Sequence, residues 1–169
     1  MGFDELQIDL NNRDHLNLAL PKLLVATGEI YEKAGDILVF GAYNLTTFKY
    51  IVLHTLMEHA SQPSMTELKN MIMRSPSNMT QVVDSLAKDG LVERIPSPTD
   101  RRINLIRVTE QGRKLMDEVE DYFVTRMRNY LAEFTDEELR VTVQLLLRMM
   151  KGAVRELGLT NACLPEVKS

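Results

Sequence analysis

The stretch from residue 75 to 88 carries Ser75, Ser77, Asn78, Thr80, Gln81 and Lys88 in short succession. These side chains suit one kind of chemistry, hydrogen bonding to a polar surface of fixed pattern. Asn and Gln can make paired hydrogen bonds to the edge of an adenine, Ser and Thr reach several acceptors, and the N-terminus of a helix attracts a phosphate. A second group lies twelve residues beyond Lys88: Asp100, Arg101 and Arg102, in a loop with Pro96 and Pro98 on its N-terminal side. An arginine at a loop tip can enter a narrow, electronegative minor groove. The spacing of two lets Asp100 orient Arg102. Each group has a plainer reading, a solvated polar helix face and a solvated Asp-Arg turn, so the elements that carry them decide the matter.

Residues 75–88 read as a helix. Ser75 followed by Pro76 is a start signal, because Pro at the first helical position loses no hydrogen bond and its fixed φ suits the helix. Gly90 marks the end, where glycine tolerates the left-handed conformation past a C-cap. At helical spacing Met79, Val82, Val83 and Leu86 share one face. The opposite face centres on Ser77, Gln81, Asp84 and Lys88, with Asn78, Thr80 and Ser85 flanking it. Asp84 is ill placed beside phosphates unless an internal arginine pairs with it.

Around this helix the pattern is helical almost throughout. Leu16, Leu20, Leu23, Leu24, Ile30, Ala34, Ile37 and Leu38 predict a first amphipathic helix, bent near Pro21. Asn44, Leu45 and Thr46 precede a second helix that ends near Ala60. Ser64 and Glu67 form a capping box that opens a short third helix to about Met73. After Gly90 the sequence changes to two apolar-polar runs, Leu91–Ile95 and Ile103–Val108. They predict a hairpin whose connecting loop runs from Pro96 to Asp100, with the prolines keeping its tip out of the ladder. Thr109 caps a long helix to about Phe134, and Thr135 with Glu138 opens a last one to about Leu157. Helix, turn, helix and hairpin in about fifty residues is the layout of a winged helix-turn-helix. The fold class expected is mostly α with a small β-hairpin wing.

The 169 residues, 44% hydrophobic and 26% charged, are ordinary for one globular chain. The net charge of −4 hides an uneven distribution. Residues 61–114 carry 9 basic and 6 acidic side chains, against 4 and 8 before them and 7 and 10 after them. A mildly basic middle between acidic flanks fits a nucleic-acid reader on a separate scaffold. The lack of long apolar runs and the acidic start predict a cytoplasmic protein with no membrane partner. Cys163 allows no internal disulfide and is expected to be an inert thiol in the tail. His54 and His59 are five residues apart and share no helix face, and His15 is remote, so no metal and no cofactor are expected. No glycine-rich phosphate loop, nucleophile motif or paired carboxylates can be read, which argues against an enzyme. The ten methionines are expected to fill core and interface. The last helix has more apolar residues than one stripe needs: Leu139, Val141, Val143, Leu145, Leu146, Leu147, Met149, Met150, Val154 and Leu157. A monomer would leave part of them wet, so a helical homodimer interface built by both termini is the economical expectation.

The sequence resembles the MarR-type winged-helix transcriptional regulators. The resemblance runs from Leu45-Thr46-Thr47-Phe48 through Met65-Thr66-Glu67-Leu68, Val82-Val83-Asp84-Ser85-Leu86 and Gly90-Leu91-Val92-Glu93-Arg94 to Asp100-Arg101-Arg102, Val108-Thr109 and Gly112. It implies a homodimer with N- and C-terminal dimerisation helices, over residues 1–44 and 113–169, around a DNA-binding region over 45–112. It assigns contact with double-stranded DNA at a palindromic operator to Ser75, Ser77, Asn78, Thr80 and Gln81, and wing contact to Arg101 and Arg102 with Asp100 orienting them. At Asp84 it implies an acid that supports the reading head. It further implies a small apolar or phenolic effector, for which Tyr31, Phe40, Tyr43, Phe48 and Tyr50 are candidate lining residues, and regulation as a repressor. Aromatic residues at helical spacing also serve simply as core. The alternative function is a winged-helix module that binds another protein without reading DNA sequence.

Overall fold

A computed structural model of the chain describes residues 8–72 and 78–158. Two compact units meet in sequence at Thr47 and Phe48. In the first, α1 spans Arg13–Gly35, and the Asn12 side chain caps it by accepting from the amides of Asp14 and His15. Pro21 stands inside α1 without ending it. The chain then widens into a π-helical turn over Asp36–Phe40 and tightens into a 3-10 turn over Gly41–Tyr43. The sequence had run these residues into the first helix and its exit. Asn44 follows at a φ of 55°, a left-handed position that Asn tolerates better than most residues. The Asp36 carboxylate accepts the Thr47 amide at 2.5 Å and the Thr47 hydroxyl donates to the Glu32 carbonyl. Val39, Phe40 and Leu45 are buried here.

The second unit holds the helix-turn-helix and the hairpin. Helix α2 (Thr47–Glu58) buries Val52, Leu53 and Leu56. Helix α3 (Met65–Met71) begins with the expected capping box, Ser64 and Glu67 satisfying each other's backbone amides. It ends two residues before the predicted Met73. Helix α4 runs over Met79–Lys88 and buries Met79, Val83 and Leu86 completely, while Val82 is half-buried. The predicted start at Ser75-Pro76 lies outside the described residues. At its C-terminus Gly90 takes a φ of 73°, and the Leu91 amide reaches back to the Leu86 carbonyl at 2.9 Å. That is a Schellman closure, and it turns the chain sharply into the hairpin.

Strands β1 (Val92–Pro96) and β2 (Asn104–Val108) pair antiparallel, with Val92 opposite Val108 and Pro96 opposite Asn104. Pro96 is therefore the last residue of the ladder, not part of the loop as the sequence suggested. The register explains why it is tolerated. The Ile106 amide points away from β1 to donate to the Pro63 carbonyl, so Arg94 and Ile106 are a non-hydrogen-bonded pair. Two residues on, Pro96 occupies the same kind of position and is asked for no N–H. Ser64 bridges Leu105 on the outer side, which fastens the hairpin to the start of α3. Ile103, expected in the strand, precedes it and is 44% exposed.

Thr109 ties hairpin to helix. Its hydroxyl accepts the Gly112 amide and donates to the Gly90 carbonyl at 2.7 Å, so one side chain caps α5 (Glu110–Tyr130) and holds the α4 exit. Helix α6 (Asp136–Glu156) opens with the second capping box, Thr135 with Glu138. Most of α6 is exposed in the single chain, and among its exposed residues are the apolar Val141, Val143, Leu145, Leu146, Met149 and Met150.

Candidate nucleic-acid interface

The buried side of α4 fixes what the other side offers. With Met79, Val83 and Leu86 locked into the core, Asn78, Thr80, Gln81, Asp84 and Lys88 are all exposed. Ser75 and Ser77 lie outside the described residues. The face foreseen from helical spacing is thus present wherever it is described: amide, hydroxyl and ammonium groups on one side of a rigid, ten-residue helix.

Asp84 has the arginine partner it needs. The Arg94 guanidinium, projecting from β1, donates to its carboxylate at 2.5 Å, with side-chain exposures of 40% and 55%. A pair this wet adds only about 0–1 kcal/mol to stability. Its effect is electrostatic and geometric, since it neutralises the one acid on the exposed face and joins that face to the wing.

The wing tip is organised by Ser97 and Asp100. Ser97 is the buried polar residue of this loop, and its hydroxyl accepts from the Thr99 amide. Asp100 accepts the backbone amide of Arg102 at 2.9 Å. The spacing suggested that Asp100 orients Arg102, and the carboxylate does so through the backbone, in an Asx turn, the common use of an Asp two residues ahead of an amide. Both Arg101 and Arg102 are exposed, and neither guanidinium has an ion pair among the described residues. Asp100 thus shapes the backbone and leaves the cations to project. Along the strands, Glu93 and Arg107 sit directly opposite and pair at 2.9 Å.

Sequence reasoning missed one further polar contact. Lys49 on α2 donates to Asp89, the C-cap residue of α4, at 2.9 Å, and both side chains are largely shielded. The partners lie forty residues apart, so only the folded chain, which brings Lys49 of α2 to the end of α4, could have revealed them.

The five aromatic candidates for an effector do not all share one environment. Tyr31 is 44% exposed, Phe40 is buried, and Tyr43, Phe48 and Tyr50 are half-buried. Tyr31, Phe40 and Tyr43 belong to the first unit, Phe48 and Tyr50 to the second. Tyr50 packs against His54 and, at 5.8 Å between ring centres, against Phe123 of α5. Burial, and then the nearby Glu120 carboxylate, push its phenol above the ordinary tyrosine value. A shallow groove lined by Leu91, Gln111, Lys114, Leu115 and Glu118 contains none of the five. No cluster of His, Cys, Asp and Glu among the described residues could hold a metal. Cys163 lies outside them. No helix among them is long and apolar enough to cross a membrane.

A helix with a polar outer face seated on an apolar core, followed by an arginine-tipped hairpin, is the arrangement of a winged helix-turn-helix protein. The sequence profile of the MarR family matches residues 45–103. The HTH-type transcriptional regulator PecS of Dickeya dadantii (strain 3937) is 32% identical over 120 residues, covering 69% of this chain and 71% of that protein. YdgJ of Bacillus subtilis (strain 168), also an HTH-type transcriptional regulator, is 32% identical over 97 residues, 57% of this chain and 59% of that one. Among solved structures, the organohalide-sensing regulator RdhR-CbdbA1625 in its 2,4-dichlorophenol-bound form matches with a TM-score of 0.77. That match is 18% identical and covers 100% of this chain and 99% of the other, a likeness of fold. The chain belongs to the MarR family. It is a DNA-binding transcriptional regulator and not an enzyme.

Proposed function

We propose that the protein is a cytoplasmic homodimeric repressor that reads a palindromic operator and is released by a small apolar or phenolic molecule. The observation that carries the DNA reading is the exposed face of α4: its polar groups stand opposite a fully buried apolar side, and its acid is neutralised from within by Arg94. Asn78, Thr80 and Gln81, with Ser75 and Ser77 before them, are assigned to the major groove, and Lys88 to the backbone. Arg101 and Arg102 are assigned to the minor groove, with Asp100 setting the loop that presents them. Residues 45–112 form the reader in this account, and residues 1–44 and 113–169 the dimer scaffold. The apolar exposure of α1 and α6 supports the second copy.

The effector reading is supported by the bound chlorophenol of RdhR-CbdbA1625; Tyr31, Phe40, Tyr43, Phe48 and Tyr50 are the candidate contacts to test one by one. Such a ligand acts by preferring one arrangement of the two heads, which requires unequal affinity for the two states. Footprinting on a duplex enriched from a random pool tests the DNA assignment. Two protected half-sites related by a twofold axis, one DNA turn or roughly 34–36 Å apart, are expected. A single unsymmetrical half-site would exclude the palindromic dimer.

A further inference from the structure

We infer that Lys49 and Asp89 are positioning residues for the recognition helix, a role that rests on the DNA-reading assignment above. The core face of α4 fixes how deep the helix lies, because Met79, Val83 and Leu86 are fully buried. A smooth apolar contact controls roll and tilt poorly. Those two motions are restrained by the acids at positions 84 and 89. At about 100° per residue they project about 140° apart around the helix, on opposite sides of the buried stripe. Arg94 holds Asp84 from the hairpin side at 2.5 Å, and Lys49 holds Asp89 from α2 at 2.9 Å.

The two contacts differ in kind. The Arg94 pair is open to water, whereas the Lys49 side chain is only 15% exposed and that of Asp89 30%. Shielding makes the second pair stronger and geometrically stricter. It also sits at the end of α4 where it has most leverage. Asp89 is the C-cap, a site where a carboxylate opposes the helix dipole and a cation favours it. Lys49 corrects that mismatch and anchors the end of the helix to α2, whose Val52 and Leu53 are fully buried. Bidentate contacts to bases tolerate little displacement, so loosening this anchor lowers affinity for the correct sequence while leaving phosphate attraction in place.

The test uses fluorescence anisotropy with the full-length protein, on a duplex enriched from a random pool by the wild type and on a scrambled duplex. Asp89→Asn is the decisive variant. It removes a negative charge at the end of α4, close to the face assigned to DNA, so a purely electrostatic view predicts tighter binding. Positioning predicts the opposite, a loss of about tenfold on the enriched duplex, equivalent to roughly 1.4 kcal/mol, with no loss on the scrambled one. Lys49→Met should lose as much with an unchanged salt slope, because no phosphate contact is removed. Lys49→Arg should restore most of the affinity, and the Lys49→Met/Asp89→Asn double variant should be no worse than either single one. Asp89→Asn at or above wild-type affinity, or additive losses in the double variant, would overturn the positioning role and leave the DNA reading intact. Wild-type protein that enriches no duplex, or binds both alike, would overturn the DNA reading and this inference with it.

Discussion

Asp84 shows how a single side chain can look wrong for a function and still serve it. Its carboxylate stands on the face assigned to DNA, and Arg94 takes its charge internally. Arg94→Met leaves that acid facing phosphates. We expect it to weaken operator binding more than Asp84→Asn does, while the melting temperature shifts by no more than a 0–1 kcal/mol surface pair allows, roughly. Anisotropy and thermal melts on the two variants separate these effects. At the wing, Arg102→Ala should weaken operator affinity without unfolding the protein, and an unchanged isotherm at physiological salt would remove Arg102 from the interface. Gln81→Ala should reduce discrimination at one base pair by about 1–3 kcal/mol, seen as a relaxed preference in competition binding. The need for an arginine beside Asp84 was legible in the sequence, but not which arginine, because the pairing depends on β1 lying against α4. Asp100 illustrates the reverse case: spacing located the partner correctly as Arg102, yet the group bonded is the backbone amide.

At the scale of elements, local chemistry was highly legible. Ser64 with Glu67 and Thr135 with Glu138 close capping boxes where their spacing foretold them, and Thr109 opens α5. Thr109→Ala should cost about 1 kcal/mol for the cap and more if the Gly90 carbonyl loses its donor, measurable by chemical denaturation. Gly112→Ala should be worse. A Cβ there would sit 2.3 Å from the Leu91 carbonyl oxygen, so the hairpin or α5 must shift, at a cost of about 1–3 kcal/mol or more. Hydrogen bonds from the cap residues Thr135 and Ser64 lower the carboxyl pKa values of Glu138 and Glu67. The stability they lend is therefore complete above the ordinary carboxylate range and is lost as pH falls through the lowered values. Melts between about pH 6 and about pH 3 should show a shallower acid-side decline in Glu138→Gln than in wild type; parallel curves would contradict this. What the sequence did not reveal is the π turn over Asp36–Phe40. Its apolar spacing still looks helical, and the widening accompanies a bond from Asp36 to an amide eleven residues away, a tertiary constraint that periodicity does not carry.

For the whole molecule, the apolar surplus of α6 was readable because it exceeds one stripe, and its outward residues are exposed in the single chain. Leu10, Leu18, Val25 and Ile30 add exposed apolar surface at the other end of the sequence. If a second copy covers α6, Leu145→Glu combined with Met149→Glu should yield a monomer in sedimentation experiments. The wild-type melting temperature should rise with protein concentration and that of the variant should not. A wild type that sediments as a monomer at micromolar concentration would remove the dimer from the account. The partition of charge works at this scale too, since the basic excess of 61–114 largely overlaps the proposed reader while acidic flanks keep the whole chain at −4.

Whether this chain reads DNA sequence is decided by an anisotropy titration of the wild-type protein on a duplex enriched from a random pool and on its scrambled counterpart, at two salt concentrations. Tight binding to the enriched duplex is expected, with a specific-to-scrambled ratio of roughly 10³ or more that persists at the higher salt. Weak binding, equal on both duplexes and abolished by salt, would contradict it and leave α4 and the wing as a surface for another protein.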